Sequence, residues 1–299
     1  MIKIFEDILG KENVKVNEPM SRHTTFKIGG PADIFLTPET EEQTAEALKA
    51  AKARNIPVFV LGNGSNMLVG DKGIRGVVLS LFKRLNKIEV AGEEIYAGAG
   101  VLLSAVSSEA AKASLEGLEF ASGIPGTIGG AVYMNAGAYG FEIKEIIKSV
   151  RYMDRNGNIF EADRDACEFG YRKSRFTDTD LIILGCTLKL KHGNEAQIRE
   201  RIADYTQRRV SKQPIDRPSA GSTFKRPEGN FAGTLIEKAG LKGTRVGGAE
   251  VSEKHAGFLI NTGAATADDV LELIKLVQDT VYKKDGIMLE PEVKLVGEF

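Results

Sequence analysis

The sequence is poor in the residues that build metal centres and disulfide frameworks. It holds two cysteines, Cys167 and Cys186, and three histidines in 299 residues. It has no CxxC or HExxH pattern and no cluster of histidine with cysteine, so it predicts no metal site. Two isolated thiols in a long chain are typical of a reducing compartment, and we expect a cytoplasmic location.

The sequence also lacks a long apolar run and an excess of charge of one sign. No segment approaches the ~18 consecutive apolar residues of a membrane span, and the acidic N-terminal segment does not resemble a signal peptide. The formal net charge is −1. A general nucleic-acid binder needs a basic surplus, so we expect neither nucleic acid nor membrane as a partner. The expected partner is a small molecule, and we expect the protein to be a monomer.

The length indicates more than one domain, because 299 residues exceed what a single hydrophobic core usually serves. Strand and helix signals are mixed along the chain, which predicts the α+β class. We place the domain boundaries after residues 86 and 193. Local signals predict several elements: a helix over residues 39–54, a charged helix over 195–210 and a strand over 287–296. Asn156-Gly157 predicts the turn of a hairpin over 149–163, and Thr266 with Asp269 predicts a capping box at the start of a helix.

Three glycine-rich loops are the most informative feature. They read Gly62-Asn63-Gly64-Ser65-Asn66, then Gly123-Ile124-Pro125-Gly126-Thr127-Ile128-Gly129-Gly130, then Ala220-Gly221-Ser222-Thr223-Phe224. The first loop lacks the lysine of a P-loop and the full GxGxxG pattern, so by itself it indicates only a tight turn. Two such loops on adjacent units can clamp a pyrophosphate with their amides, which predicts a large phosphate-bearing cofactor.

Two further candidates carry polar chemistry. In Tyr171-Arg172-Lys173-Ser174-Arg175, one arginine can hold a carboxylate through two hydrogen bonds, whereas the alternative is a solvated basic turn. Ser222 has no Gly-x-Ser-x-Gly elbow and no histidine and aspartate partners in a recognisable series. A proton-donating serine is therefore favoured over a hydrolytic nucleophile, and the alternative is a serine that caps the following turn.

Acidic and histidine candidates lie near the C-terminus. Glu290 and Glu292 share one face of the predicted final strand, and the periodicity does not choose between them. The alternative is a solvated edge strand that Pro291 protects. For His255 a structural role is favoured over a ligand contact.

With these residues in view, the chain resembles the UDP-N-acetylenolpyruvoylglucosamine reductase family of flavoenzymes. Besides the first two glycine-rich loops, the matching segments are residues 24–30 (TTFKIGG), 169–172 (FGYR), 218–225 (PSAGSTFK), 241–243 (LKG), 255–261 (HAGFLIN) and 289–293 (LEPEV). Their order follows the family's order from about residue 20 to the end.

The resemblance implies an FAD-binding fold of the vanillyl-alcohol-oxidase type, with subdomains at residues 1–86 and 87–193. It also implies a substrate-binding domain at 194–299. The implied activity is NADPH-dependent reduction of an enolpyruvyl ether to a lactyl ether, giving UDP-N-acetylmuramate for peptidoglycan. The implied cofactors are FAD and NADPH.

The resemblance also assigns residues to roles. Ser222 would be the proton donor, while Arg172 and a protonated Glu292 would stabilise the enolate. Lys212, Lys242 and Tyr171 would bind the nucleotide-sugar substrate. The expected cofactor-binding residues are Gly62, Asn63, Gly64, Ser65, Asn66, Gly123, Gly126, Thr127, Gly130 and Asn135.

One departure and two alternatives accompany this interpretation. The strand predicted over residues 181–191 passes directly into the next helix, which leaves no room for the insertion that carries a capping tyrosine in the longer type of the family. Arg226 stands where that type tends to have asparagine.

The alternatives are an FAD-dependent oxidase acting on an alcohol or sugar, and a nucleotide-sugar sensor without activity. The second glycine loop has no histidine or cysteine for covalent flavin, which disfavours the oxidase.

Overall fold

The structure is a computed structural model that describes residues 2–299. Its α-helices are α1 (Ile2–Leu9), α2 (Glu41–Lys52), α3 (Leu103–Lys112), α4 (Ile128–Met134), α5 (Glu195–Lys212), α6 (Ala232–Lys238) and α7 (Ala267–Asp285). Its first ten strands are β1 (Val14–Pro19), β2 (Pro31–Leu36), β3 (Val58–Leu61), β4 (Met67–Val69), β5 (Ile74–Ser80), β6 (Ile88–Ala91), β7 (Glu94–Gly98), β8 (Leu115–Glu116), β9 (Gly137–Ala138) and β10 (Phe141–Glu142). The remaining strands are β11 (Ile147–Met153), β12 (Ile159–Asp163), β13 (Ile182–Lys189), β14 (Lys191–His192), β15 (Ser219–Ser222), β16 (Arg245–Val246), β17 (Ala249–Val251), β18 (Phe258–Asn261) and β19 (Lys294–Val296).

The chain divides into two compact units that are interleaved along the sequence. Unit 1 contains the residues up to Val16, together with Ile34–Asn63 and Gly76–Arg208. Unit 2 contains the segments Asn17–Asp33, Gly64–Arg75 and Arg209–Phe299. The three consecutive domains with boundaries after residues 86 and 193 stay a prediction.

Unit 1 is built around a five-stranded antiparallel sheet with the order β12-β11-β13-β7-β6. The predicted hairpin over residues 149–163 is formed by β11 and β12. Its turn contains Gly157 at φ 80, a left-handed conformation that glycine adopts readily. The Asp154 carboxylate accepts hydrogen bonds from the amides of Asn156 at 2.8 Å and Asn158 at 2.9 Å, so side chains as well as backbone define the turn.

Helix α4 contacts β13 and β7 of this sheet, whereas α3 contacts β8. Helix α2 begins later than the sequence suggested: the capping residue is Thr40, whose hydroxyl accepts from the amide of Gln43. The core of unit 1 is mainly aliphatic, and it includes Phe176 and both cysteines, which are fully buried.

Unit 2 contains a four-stranded antiparallel sheet with the order β15-β18-β17-β16, and α7 contacts β16 and β17. The predicted cap of α7 is confirmed: the Thr266 hydroxyl accepts from the Asp269 amide at 3.1 Å, and the Asp269 carboxylate accepts from the Thr266 amide at 3.0 Å. One apolar stripe of α7 is buried, as expected for an amphipathic helix. Its members are Val270, Leu273, Ile274, Val277 and Val281.

The predicted C-terminal strand over residues 287–296 is wrong for most of its length. Only β19, Lys294–Val296, is a strand, and it pairs in parallel with β4. Proline has no N–H to donate to a ladder, and Pro291 makes only an isolated bridge with Phe224. The segment therefore makes two separate short pairings, the bridge of Pro291 with Phe224 and the pairing of β19 with β4, instead of one continuous strand.

No helix within residues 2–299 is both long enough and apolar enough to cross a bilayer.

Candidate functional site

The first two glycine loops contact each other in unit 1. The Asn63 amide group donates to the carbonyl of Pro125 at 2.6 Å. A Cβ atom at Gly62 would lie 2.6 Å from the hydroxyl oxygen of Thr127, so this position has no space for a side chain. Glycine at residue 62 is therefore a steric requirement of the contact between the two loops.

The first loop presents backbone donors without acceptors. The N–H groups of residues 63–66 meet no acceptor within residues 2–299, whereas the carbonyl oxygens of Gly64 and Asn66 accept from Thr25 and Lys294. Successive free amides in a turn are suited to an anionic group such as the pyrophosphate of a dinucleotide. The loop thus fits the cofactor class that its sequence predicts.

The second loop leads into α4, a helix that the sequence reasoning missed. Thr127 is its N-cap, with its hydroxyl accepting from the Gly130 amide at 3.4 Å. A Cβ atom at Gly129 would lie 3.1 Å from that of Ala99, so glycine permits close packing of the helix. The glycines indicated a loop, although threonine ahead of an apolar segment was a usable N-cap signal.

Arg172 lies in a tight turn of unit 1. Its φ is 55, a left-handed conformation that is uncommon for residues other than glycine. Its guanidinium lies 5.0 Å from the ring centre of Tyr171, and it donates to the carbonyl of Gly137 at 3.4 Å. Tyr171 itself is half exposed. The turn therefore presents a cation and an aromatic ring at the surface of unit 1.

Ser222 ends β15 in unit 2 and is exposed. Gly221 before it has φ 78, and the register between β15 and β18 shifts between Ser219 and Ser222. A bulge of this kind redirects a side chain at the end of a strand. The Ser222 hydroxyl donates to the carbonyl of Phe224 at 3.3 Å, a weak local hydrogen bond.

The segment after Ser222 pairs with the segment that carries the two glutamates. The Glu292 amide donates to the Thr223 carbonyl at 2.8 Å, and the Lys225 amide donates to the Glu290 carbonyl at 2.8 Å. The Asn66 side chain also donates to the Glu292 carbonyl at 3.3 Å. Unit 2 thus brings the end of the first glycine loop, the region of Ser222 and the backbone of Glu292 together.

The two glutamates have different environments. The side chain of Glu290 is 69% exposed and forms an ion pair with Lys225. Glu292 is half-buried. An exposed ion pair contributes little to stability, and Glu290 is already engaged in one. The surroundings therefore favour Glu292 over Glu290 as the candidate functional acid.

Three further residues singled out in the sequence lie in unit 2, where Lys212 is exposed and Lys242 and His255 are half-buried. Lys212 ends α5 and is exposed. The Lys242 ammonium group forms an ion pair with Glu237 at 2.6 Å. His255 has the structural role that the sequence favoured: its Nδ1 accepts from the Gly257 amide at 3.1 Å, and its ring contacts that of Phe258 edge-on.

A charged cleft of about 500 Å³ in unit 2 was not predicted. Ile260 lines it, and Phe258, two residues earlier on β18, is the register partner of Ser222. Side chains two residues apart share one face of a sheet, so the cleft lies on the face that carries Ser222. Its charged residues are Asp216, Arg217, Arg245, Glu250, Glu253 and Lys254.

Comparison with known proteins decides the family. A family model described as "FAD binding domain" matches residues 32–163, and one described as "UDP-N-acetylenolpyruvoylglucosamine reductase, C-terminal domain" matches residues 213–296. A curated UDP-N-acetylenolpyruvoylglucosamine reductase from Clostridioides difficile is 52% identical over 292 residues, covering 98% of this chain and 96% of the relative. The chain belongs to the UDP-N-acetylenolpyruvoylglucosamine reductase family. The resemblance noted in the sequence is thereby confirmed.

Other relatives agree with this membership in the reductase family. The enzyme of the same name from Clostridium tetani is 53% identical over 97% of this chain and 94% of its own length. The crystal structure of the reductase from Thermus caldophilus has a TM-score of 0.81 and 36% identity, covering 95% of this chain and 98% of that one.

The FAD-binding fold of the vanillyl-alcohol-oxidase type is also confirmed. A variant of Phl p 4, a glucose oxidase, matches 64% of this chain and 44% of its own with a TM-score of 0.52. At 14% identity this likeness shows the fold alone. It therefore gives no support to the alternative of a sugar oxidase.

Proposed function

We propose that this protein is an FAD-dependent reductase that uses NADPH to convert UDP-N-acetylglucosamine enolpyruvate into UDP-N-acetylmuramate for peptidoglycan synthesis. Membership of the reductase family over 98% of the chain supports the reaction. The observation that carries the proposal for this site is the hydrogen bond between the Glu292 amide and the Thr223 carbonyl, since it brings the acid next to the serine segment.

The cofactor would be held by the backbone of the two glycine loops. The free amides of residues 63–66 suit its pyrophosphate. Glycine at residue 62 places no side chain between the first loop and Thr127 of the second. When bound there, FAD would supply the redox chemistry, which is hydride transfer between NADPH and the enolpyruvyl group.

Residues of the chain would stabilise the negative charge that develops on the substrate and would donate the proton. Hydride addition at the β-carbon leaves negative charge on the carboxylate side of the substrate. Arg172 holds that carboxylate, and protonated Glu292 stabilises the developing enolate. The hydroxyl of Ser222 gives its proton to the α-carbon and regains one from solvent, which completes the lactyl ether.

The nucleotide part of the substrate is assigned to unit 2. Lys212 and Lys242 are the candidates from the sequence, and Tyr171 of unit 1 is a third. The charged cleft offers three further cations, Arg217, Arg245 and Lys254, beside three carboxylates, and Arg245 forms an ion pair with Glu250. A diphosphate favours such cations. A monomer and a cytoplasmic location stay predictions.

A spectroscopic titration of the purified protein tests the proposal. We expect the visible absorbance of oxidised flavin, bleached by NADPH without oxygen and restored by UDP-N-acetylglucosamine enolpyruvate. Rapid restoration by oxygen with peroxide release, together with no response to the enolpyruvyl substrate, would instead indicate an oxidase. A protein that binds the nucleotide sugar and contains no flavin would be a sensor.

A further inference from the structure

Asn135 is a fully buried polar residue whose side chain is completely engaged within unit 1. Its exposed fraction is 0%. Its Nδ2 donates to the Gly170 carbonyl at 2.9 Å and to the Glu142 carboxylate at 3.1 Å, and its Oδ1 accepts from the Lys144 amide at 3.2 Å. A buried amide whose two N–H donors and oxygen are all engaged fixes the segments that it joins.

One of those segments is the turn that carries Arg172. Gly170 and Lys173 exchange hydrogen bonds, at 2.9 Å from the Gly170 amide and at 3.3 Å from the Lys173 amide. Arg172 inside this turn has φ 55. A left-handed conformation is unfavourable for residues other than glycine and persists only where its surroundings determine it. The contact from Asn135 to the Gly170 carbonyl is one such determinant.

A second anchor fixes the other side of the turn. The hydroxyl of Ser174, which is 6% exposed, donates to the Tyr133 carbonyl at 2.9 Å. The Thr177 hydroxyl donates to the same carbonyl at 3.1 Å. Both sides of the Arg172 turn are therefore attached to the C-terminal end of α4.

The other end of α4 belongs to the cofactor loops. Thr127, its N-cap, is the residue that a side chain at Gly62 would contact. The seven residues of α4 span about 10 Å at the rise of an α-helix, so one rigid element connects the two places.

We propose that Asn135 is a positioning residue, which holds the Arg172 turn at a fixed place relative to the cofactor loops. The inference rests on the carboxylate-binding role given to Arg172 in the proposed function. The sequence placed Asn135 among the cofactor-binding residues, and the proposal gives its side chain a different task.

The variant Asn135→Gly tests this role. Glycine tolerates the left-handed backbone of Asn135, at φ 43, and removes the three side-chain hydrogen bonds. Asn55→Gly is the matched control, because Asn55 is also left-handed, at φ 54, and is exposed. We expect Asn135→Gly to keep its flavin and its rate of flavin reduction by NADPH. Its kcat/KM for the enolpyruvyl substrate should fall by up to about 10²-fold, as expected for a displaced catalytic group.

A double variant separates positioning from other effects. If Asn135 acts through Arg172, adding Asn135→Gly to Arg172→Ala lowers kcat/KM by no more than about two-fold beyond Arg172→Ala alone. A multiplicative loss in the double variant, or a loss of flavin binding that equals the loss of turnover, overturns the proposal. Wild-type kcat/KM in Arg172→Ala rejects the role of Arg172 itself, and the inference with it, without affecting the assignment of the reaction.

Ser174→Ala provides a second route if Asn135→Gly does not fold. It removes one of the two hydroxyls that donate to the Tyr133 carbonyl, and combining it with Thr177→Val removes this anchor completely while Asn135 stays in place. We expect the same pattern: normal flavin reduction, reduced kcat/KM for the enolpyruvyl substrate and no further loss in the Arg172→Ala background. Unchanged kcat/KM in Ser174→Ala combined with Thr177→Val would then contradict the attachment of the turn to α4.

Discussion

The amide of Glu292 donates a hydrogen bond to the carbonyl of Thr223, at 2.8 Å. The two residues are far apart in sequence, and their contact places the C-terminal acid beside the segment that presents Ser222. Asn66, at the end of the first glycine loop, also donates to the Glu292 carbonyl. Three separate segments of unit 2 thus meet through the backbone of Thr223 and Glu292, next to the residues proposed for charge and proton control.

Glu292 and Glu290 should respond differently to removal. Glu292→Ala deletes a donor to the developing enolate, and we expect kcat to fall by about 10²–10³-fold. Glu290→Ala deletes an exposed ion pair with Lys225, so kcat should change little. Steady-state rates of both variants, with flavin content measured in each, check this pair. A larger effect at Glu290 would reverse the assignment.

The two cysteines should be unreactive in the folded protein. Burial raises the pKa of the Cys167 thiol to about 11 and also raises that of Cys186. Only thiolates react rapidly with disulfide or alkylating reagents. We expect slow labelling without loss of activity in the native protein, and labelling of both thiols after denaturation. Rapid native labelling that abolishes activity would show that a thiol is needed at the site.

His255 should make the folded state less stable in mild acid. Burial lowers its pKa below the ordinary value of 6.5, so the unfolded chain binds a proton more readily than the folded one. This contribution to stability is present above pH 6.5 and is lost as the pH falls through the lowered pKa of the folded state. Denaturant unfolding of wild type and His255→Gln over this range checks the point, since their difference cancels the other titrating groups. If the free energy of unfolding changed with pH in the same way in both proteins, the prediction would be contradicted.

Local sequence signals were sufficient for several elements of the fold. Thr266 and Asp269 predicted the cap of α7, and Asn156-Gly157 predicted the hairpin, because both signals act within a few residues. The final strand was predicted too long because Pro291 was taken as compatible with an edge strand, whereas it forms only an isolated bridge with Phe224. Helix α4 was missed because its glycines, which allow close packing against Ala99, resemble those of a loop.

The candidate site depended on information that is not local. The glycine loops and Ser222 could be selected from their residue types, and the family resemblance chose Glu292 over Glu290. The contact of Thr223 with Glu292 joins distant parts of the chain, and no periodicity encodes it. The engagement of Asn135 with Gly170 is likewise a tertiary contact, which only the folded structure reveals.

The most direct test of the account is the rate at which prereduced enzyme is reoxidised by the enolpyruvyl substrate, in wild type and Ser222→Ala. Stopped-flow absorbance after anaerobic reduction with NADPH measures this step apart from flavin reduction. Ser108→Ala, an exposed serine on α3, is the matched control. The account predicts normal reduction by NADPH in all three proteins and reoxidation slowed by about 10²–10⁴-fold in Ser222→Ala alone, as for the loss of a general acid. Reoxidation of Ser222→Ala at the wild-type rate would contradict it.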